Sequence, residues 1–215
     1  MRLLDLFCGA GGAAMGYHQA GFTEIVGVDI DPQPNYPFEF VQADWDEYTT
    51  LTWIRDFDLI HASPPCQAYS TLKHSPGASE YPDLVEKVRS ALMSFGIPYV
   101  IENVVGAPIQ GPILCGSQFG LQADGFELRR HRVFESSFLF MVEPCRHRLP
   151  VLGVYGDLSK NSRPSTRGVK AGIKQAEALM GIDWMTPSEL VEAIPPAYTK
   201  FIGEQFLALT PQGET

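Results

Sequence analysis

Several side chains capable of covalent or acid–base chemistry sit where an apolar run of this sequence stops. In DLIHASPPCQAYS, Asp58 to Ser70, a strand-like run meets Pro64 and Pro65, and Cys66 follows. Prolines cannot donate to a strand ladder, so the cysteine is expected at a strand end, on a stiff loop. Its polar neighbours Gln67, Tyr69 and Ser70 disfavour the usual fate of a free cysteine, burial as a small hydrophobe. Backbone N–H groups aimed at the sulfur would lower its pKa and supply a nucleophilic thiolate. Glu102 closes the apolar run YVIEN. A carboxyl partly buried there would have a raised pKa and could hold or donate a proton; an ion-paired or helix-capping acid is the plain alternative. RRHR, Arg129 to Arg132, precedes a strand-like VFESSFLF, and alternation would send Arg130 and Arg132 to one face. Two guanidiniums side by side suit a carbonyl oxygen or a phosphate. CRHR, Cys145 to Arg148, holds a Cys-x-His pair. Without a second pair of ligands in the sequence, no metal site is expected there.

A second group of residues is suited to binding. DLFCGAGG places Gly9, Gly11 and Gly12 directly after a strand and before a helix, where glycines let backbone approach a ligand closely. The spacing is not the dinucleotide fingerprint, and a tight turn alone would also explain it. Asp29 ends the second strand, EIVGVDI, where a carboxylate can accept both hydroxyls of a ribose. Together they suggest an adenosine-containing cofactor. With no P-loop lysine, the adenosine need not carry phosphates.

These residues must be positioned by the elements between them. RLLDLF, EIVGVDI, FEFVQAD, FDLIHAS and IPYVIENV read as strands, and AAMGYHQAG and DLVEKVRSALMSFG as helices closed by glycine. Strand and helix in alternation imply an α/β fold, a mostly parallel doubly wound sheet. Ligands of such sheets sit outside the carboxyl ends of the strands. Gly9 to Gly12, Asp29, Asp44, Cys66 and Glu102 all fall at such ends. After Ile113 the pattern weakens into loops with short strands such as VLGVYG, then a short helix in QAEALMGIDWM and a final amphipathic helix in PPAYTKFIGEQFLALT.

Composition limits what surrounds this core. A chain of 215 residues with 45% hydrophobic content can bury a sizeable core. No apolar run is long enough to span a bilayer, MRLLDLFCGAGG reads as a first strand rather than a signal peptide, and four scattered cysteines fit a reduced, cytoplasmic setting. The net charge of −9 is unevenly spread: residues 129–174 hold ten Lys/Arg against three acids, and the rest six against 22. A positive segment on an acidic body is the footprint of a surface that faces a polyanion; an ordinary solvated basic loop is the alternative.

The set DLFCGAGG, SPPCQAYS, ENV and RRHR, in this order, resembles the cytosine-C5 DNA methyltransferase family over roughly residues 2–135, with a tail from about 175 to 209. The resemblance implies a Rossmann-like fold that uses S-adenosyl-L-methionine and double-stranded DNA. Cys66 would attack C6 of a flipped-out cytosine, Glu102 would bind N3, and Arg132, helped by Arg130, would hold O2 and the backbone. Phe7, Gly9, Gly11, Gly12, Asp29, Ile30, Asp44, Trp45 and Pro65 would form the cofactor site, with Ile30 where the family often has a tryptophan. Gln67, Ser70, Lys160, Arg163 and Arg167 would touch DNA. Expected divisions are a core at 1–135, a reduced target-recognition segment at 136–175 and closing helices at 176–215. Three departures stand out. Glu127–Leu128 replaces the family's Pro-Gln, Val191–Glu192 replaces a Gly-Asn pair, and the recognition segment is about forty residues where members usually have a hundred or more. Specificity is therefore expected to be short, loose or borrowed from a protein partner, and the chain to be a monomer with no membrane role. RNA or nucleotide substrates, or a non-catalytic binding module, are the alternatives.

Overall fold

The computed structural model of the chain describes residues 1–49, 52–65, 83–158 and 169–210. The expected site residues Cys66, Gln67, Ser70, Lys160, Arg163 and Arg167 lie outside the described residues.

The first half folds as its alternating pattern requires. β1 (Arg2–Leu6), α1 (Gly12–Ala20), β2 (Glu24–Asp29), β3 (Glu39–Gln42), α2 (Trp45–Thr49), β4 (Leu59–Ala62), α3 (Val85–Phe95) and β5 (Tyr99–Val104) follow one another. The strands β3-β2-β1-β4-β5 pair in parallel in that order. Two further strands extend this sheet antiparallel: β9 (Arg132–Ser136) against β5, and β6 (Ile113–Leu114) against β9. The sheet is thus mostly parallel and doubly wound, as the sequence implied. β7 (Gln122–Ala123) and β8 (Phe126–Glu127) form a small hairpin, and β10 (Leu152–Gly153) pairs with β11 (Val169–Lys170). Three helices close the chain: α4 (Ile173–Met180), α5 (Pro187–Glu192) and α6 (Pro196–Leu209).

The period-two alternation of the strands divides the core between two faces. Leu3, Ile25, Leu59 and Val100 join Tyr17, Tyr198, Ile202 and Phe206 of α1 and α6 on one side. Leu4, Val26, Ile60 and Ile101 join Trp45, Val88 and Leu92 on the other. A third apolar cluster lies in the second half, where Leu152 and Val154 pack with Ala176, Leu179 and Leu190. That cluster runs across residue 175, so the basic segment and the closing helices share one small core.

The last helix matters most to the first. The Thr199 hydroxyl donates to the Ala13 carbonyl at 2.8 Å, and any Cβ on Gly16 would overlap Thr199 Oγ1 and the Pro196 carbonyl. α6 therefore holds α1, and through it the glycine loop that precedes α1. Gly16→Val should break this crossing and destabilise the protein by about 1–3 kcal/mol, the usual cost of overpacking. Urea denaturation of the two proteins checks this; an unchanged midpoint would contradict so close a crossing.

Candidate active site

The strand order reverses between β1 and β4, which lie side by side, and both carboxyl ends open into loops rich in the residues singled out above. After β1 the backbone turns through the left-handed region at Phe7 (φ 57°), Gly9 (φ 48°) and Gly11 (φ 85°). This bend points the Gly9 N–H at Asp29, whose Oδ2 accepts it at 2.9 Å. Oδ1 of the same carboxylate accepts from the Asp31 N–H at 3.1 Å. Each oxygen keeps lone-pair capacity for a further donor. Ile30, next to it, is 64% exposed, an apolar wall facing outward. Asp44 accepts from the Asp46 N–H at 3.0 Å at the start of α2. Trp45 is buried, 5.8 Å ring to ring from Phe7 and beneath the Lys87 ammonium, so it supports Phe7 from below. The closing segment covers the loop. Trp184 Nε1–H donates to the Ala10 carbonyl at 2.9 Å, and the Ile194 carbonyl lies where a side chain on Gly12 would have to be.

β4 and β5 supply the second half of the rim. Glu102 is 5% exposed on β5, with Arg132 Nε of β9 2.8 Å from its Oε1. The approach is off-axis, and Oε1 makes no directed hydrogen bond. Burial raises the Glu102 pKa, against the pull of Arg132, Arg130 and a hydrogen bond from Ser63. Asn103, the next residue, points the other way. Its carboxamide donates to the Pro64 carbonyl at 3.0 Å and accepts from the Val104 N–H. One strand end therefore presents an acid to the rim and holds the proline loop that runs into Cys66. Pro65 is the last described residue before that cysteine.

Below the rim, His61 is fully buried between the Tyr17 hydroxyl at 3.1 Å and the Ser63 hydroxyl at 3.0 Å. Burial lowers its pKa to about 3, so it is neutral and orients Ser63 beneath Glu102. Burial likewise pushes the Cys8 thiol far up, aided by Asp5 and Asp29. Cys8 is a packing residue, not a nucleophile.

The arginines divide into different tasks. Arg132 faces Glu102. Arg130 donates to the carbonyls of Val154 and Val191 at 3.1 and 2.6 Å, and its own carbonyl accepts from the Tyr198 hydroxyl. It ties the third core to α6. Arg129 pairs with Glu127 at 2.6 Å and donates to the Leu149 carbonyl. Glu127, 1% exposed, also accepts from the Arg148 and Leu149 N–H groups, both at 3.1 Å. Burial alone would raise its pKa, but the Arg129 pair and these two donors outweigh it and hold the carboxyl low. Glu127, which stands where the family has a proline, is thus a clamp on the 148–149 loop. Of the segment's bases, Lys174 pairs with Glu177 and Lys170 meets the Asp157 carbonyl, while Arg146 and Arg148 are exposed. Asn103, Ser63, His61 and Glu127 were not anticipated as site residues. Only Asn103 had a signal, its place beside Glu102 in ENV.

Residues 1–95 match the sequence profile of the C-5 cytosine-specific DNA methylase family. The Type II methyltransferase M.XorII of Xanthomonas oryzae is 32% identical over 121 residues, 49% of this chain and 28% of its own length. M.HgiCII of Herpetosiphon aurantiacus is 25% identical over 230 residues, 99% of this chain and 51% of its own length. The chain thus spans about half or less of the curated relatives it matches. A putative DNA modification methyltransferase encoded within an E. coli prophage shares the fold, with a TM-score of 0.63 at 13% identity over 97% of this chain and 99% of that one.

The buried imidazole makes a signed prediction. Its folded pKa of about 3 lies below the ordinary 6.5, so between those values the unfolded state binds the extra proton. Stability should fall as pH drops through that window, by at most about 1.4 kcal/mol per pH unit from this group. His61→Gln removes the effect, while the raised carboxyls Asp5 and Glu102, which act in the opposite sense, are common to both proteins. Thermal midpoints from pH 7 to 4 should drop more steeply for the parent; parallel curves would mean the imidazole is not held neutral.

Proposed function

We propose that the chain, whose residues 1–95 match the C-5 cytosine-specific DNA methylase family, methylates C5 of cytosine in double-stranded DNA with S-adenosyl-L-methionine. The observation that carries this reading is Glu102, buried beside Arg132 with one oxygen lacking a directed hydrogen bond, one residue before the asparagine that holds the Pro64–Pro65 loop.

The residues at the first rim fit the cofactor. Asp29 keeps acceptor capacity for ribose hydroxyls, Ile30 would offer an apolar wall to adenine, and Asp44 would accept from its exocyclic amine. Phe7, Gly9, Gly11, Gly12 and Pro65 shape the backbone around it, with Trp45 beneath Phe7. When bound, S-adenosylmethionine supplies an electrophilic methyl group.

The chain's own residues prepare the base. Cys66, as thiolate, forms a bond to C6, and the electron density moves to C5. Glu102, whose pKa burial raises against the pull of Arg132 and Arg130, is the group to share a proton with N3 and so stabilise the ring as that density builds. Arg132 fixes Glu102 and offers its remaining N–H groups to O2. Once C5 is substituted, its hydrogen leaves to water and the S–C6 bond breaks, which restores the thiolate. Arg130, whose guanidinium meets two backbone carbonyls, acts as a positioning residue behind Arg132. The base must leave the duplex to reach this rim. Gln67 and Ser70 would face the vacated space, and Lys160, Arg163 and Arg167 with the exposed Arg146 and Arg148 would meet phosphates. About forty residues place few side chains in a groove, so the recognised site should be short.

Incubation with methyl-tritiated S-adenosylmethionine and duplex DNA, followed by mass analysis of the nucleosides, tests the proposal. Label should appear in 5-methylcytosine, and Cys66→Ser should reduce it at least about a thousandfold, since nucleophilic attack is lost outright. Full transfer by the serine variant, or no label in the cytosines of the DNA, would overturn it.

A further inference from the structure

Fourteen residues, 137–150, run without helix or strand between β9 and β10. A loop of that length in a compact fold calls for its own fastening. Its first part is held by Phe138 against Phe206 and by paired hydrogen bonds between Met141 and the Gln205 side chain. Its last residues are held by Glu127. Between these anchors stand Cys145 and His147, and the fold brings Cys115 and His131 to meet them. The four ligand atoms lie within 4.8 Å of one another.

The spacing is that of a coordination shell. Cys115 Sγ is 3.5 Å from His147 Nε2, and Cys145 Sγ is 3.5 Å from His131 Nε2. Tetrahedral bonds of about 2.3 Å to sulfur and about 2.0–2.1 Å to nitrogen separate the two atoms by about 3.5 Å. The rings of His131 and His147 meet edge to face at 5.2 Å, as two imidazoles do when both turn toward one point. The surroundings also orient the ligands. Cys115 Sγ contacts the Ser117 hydroxyl at 3.3 Å, and the Arg129 backbone hydrogen-bonds the His131 ring. Gln118 accepts from the Cys115 N–H and donates to the Glu143 carbonyl, which draws the two cysteine segments together. Such outer contacts fix the geometry of metal ligands.

We propose that Cys115, His131, Cys145 and His147 bind one zinc ion. Two thiolates and two neutral imidazoles favour zinc among the divalent metals. The two thiols release two protons on binding, so the site is neutral overall. Four protein ligands leave no open position, which makes the ion structural. It fastens the 137–150 loop to Cys115 and to His131, the residue between Arg130 and Arg132. The Cys-x-His pair in CRHR had no visible second half in the sequence, because that half comes from two other segments. The expectation of no metal site gives way to this one.

Protein purified without chelator should contain about one zinc per chain by inductively coupled plasma mass spectrometry. Its cobalt-substituted form should show a tetrahedral d–d spectrum with thiolate-to-metal charge transfer. His147 is exposed, so His147→Ala should fold and still lose at least about tenfold in zinc affinity against a competing chelator. Cys145→Ser should lose the charge-transfer band assigned to its sulfur. No metal in zinc-dialysed protein, a Cys115–Cys145 disulfide in its place, or unchanged affinity and spectrum in both variants would overturn the proposal. Each readout is metal content or spectrum, independent of methyl transfer.

Discussion

An acid buried beside a guanidinium is the constraint on which the rest of this structure turns. Glu102 sits in the interior at the end of β5, where an isolated carboxylate would be expensive and a plain hydrophobe would be cheaper. Arg132 comes from the antiparallel neighbour β9, opposite Val104 in the register. Bringing that arginine to that acid requires the chain to leave the parallel sheet after β5 and return antiparallel. The departure from pure βαβ order is therefore the device that assembles the pair. The same strand end sends Asn103 to the Pro64 carbonyl, so acid and proline loop are set by a single piece of backbone.

Around that pair the second half of the chain works as a brace. Arg130 reaches carbonyls at Val154 and Val191, and Tyr198 holds Arg130 in turn. Glu127 fixes Arg129 and the 148–149 backbone. The proposed zinc site adds a third tie to His131. Three successive residues before Arg132 are thus anchored in three directions, which limits how far its guanidinium can wander from Glu102. The positive charge of the segment is correspondingly less available than its sequence count implies, because much of it serves inside the protein. The arginines of the 137–150 loop, Arg146 and Arg148, do face outward.

Much of this was legible beforehand where local pattern carries the information. The five parallel strands, α1, α3 and the rim residues at strand ends follow from alternation, glycine stops and turn chemistry, all short-range signals. The resemblance assigned Glu102 and Arg132 to one base, but their ion pair across the sheet came only with the fold. Illegible were contacts between segments far apart in sequence with no periodicity: His61 with Tyr17, Glu127 with Leu149, and Cys115 with His147. α5 was missed because six residues hold no amphipathic period, although Thr186 and Glu189 form a capping box around Pro187. Trp45, which the resemblance put in the cofactor set, is buried against Phe7.

In the proposed reaction Glu102, held by Arg132, makes a cytosine ring accept Cys66. A duplex carrying 5-fluorocytosine measures that step directly, since fluorine at C5 cannot leave as a proton does and the S–C6 bond persists. Intact mass spectrometry of the protein with this duplex and S-adenosylmethionine should show a covalent adduct that maps to the peptide containing Cys66. Glu102→Gln, folded and still binding cofactor, should form it at least about a hundredfold more slowly, in the range for loss of general acid assistance. Adduct formation at the parental rate in that variant, or at a residue other than Cys66, would contradict the account.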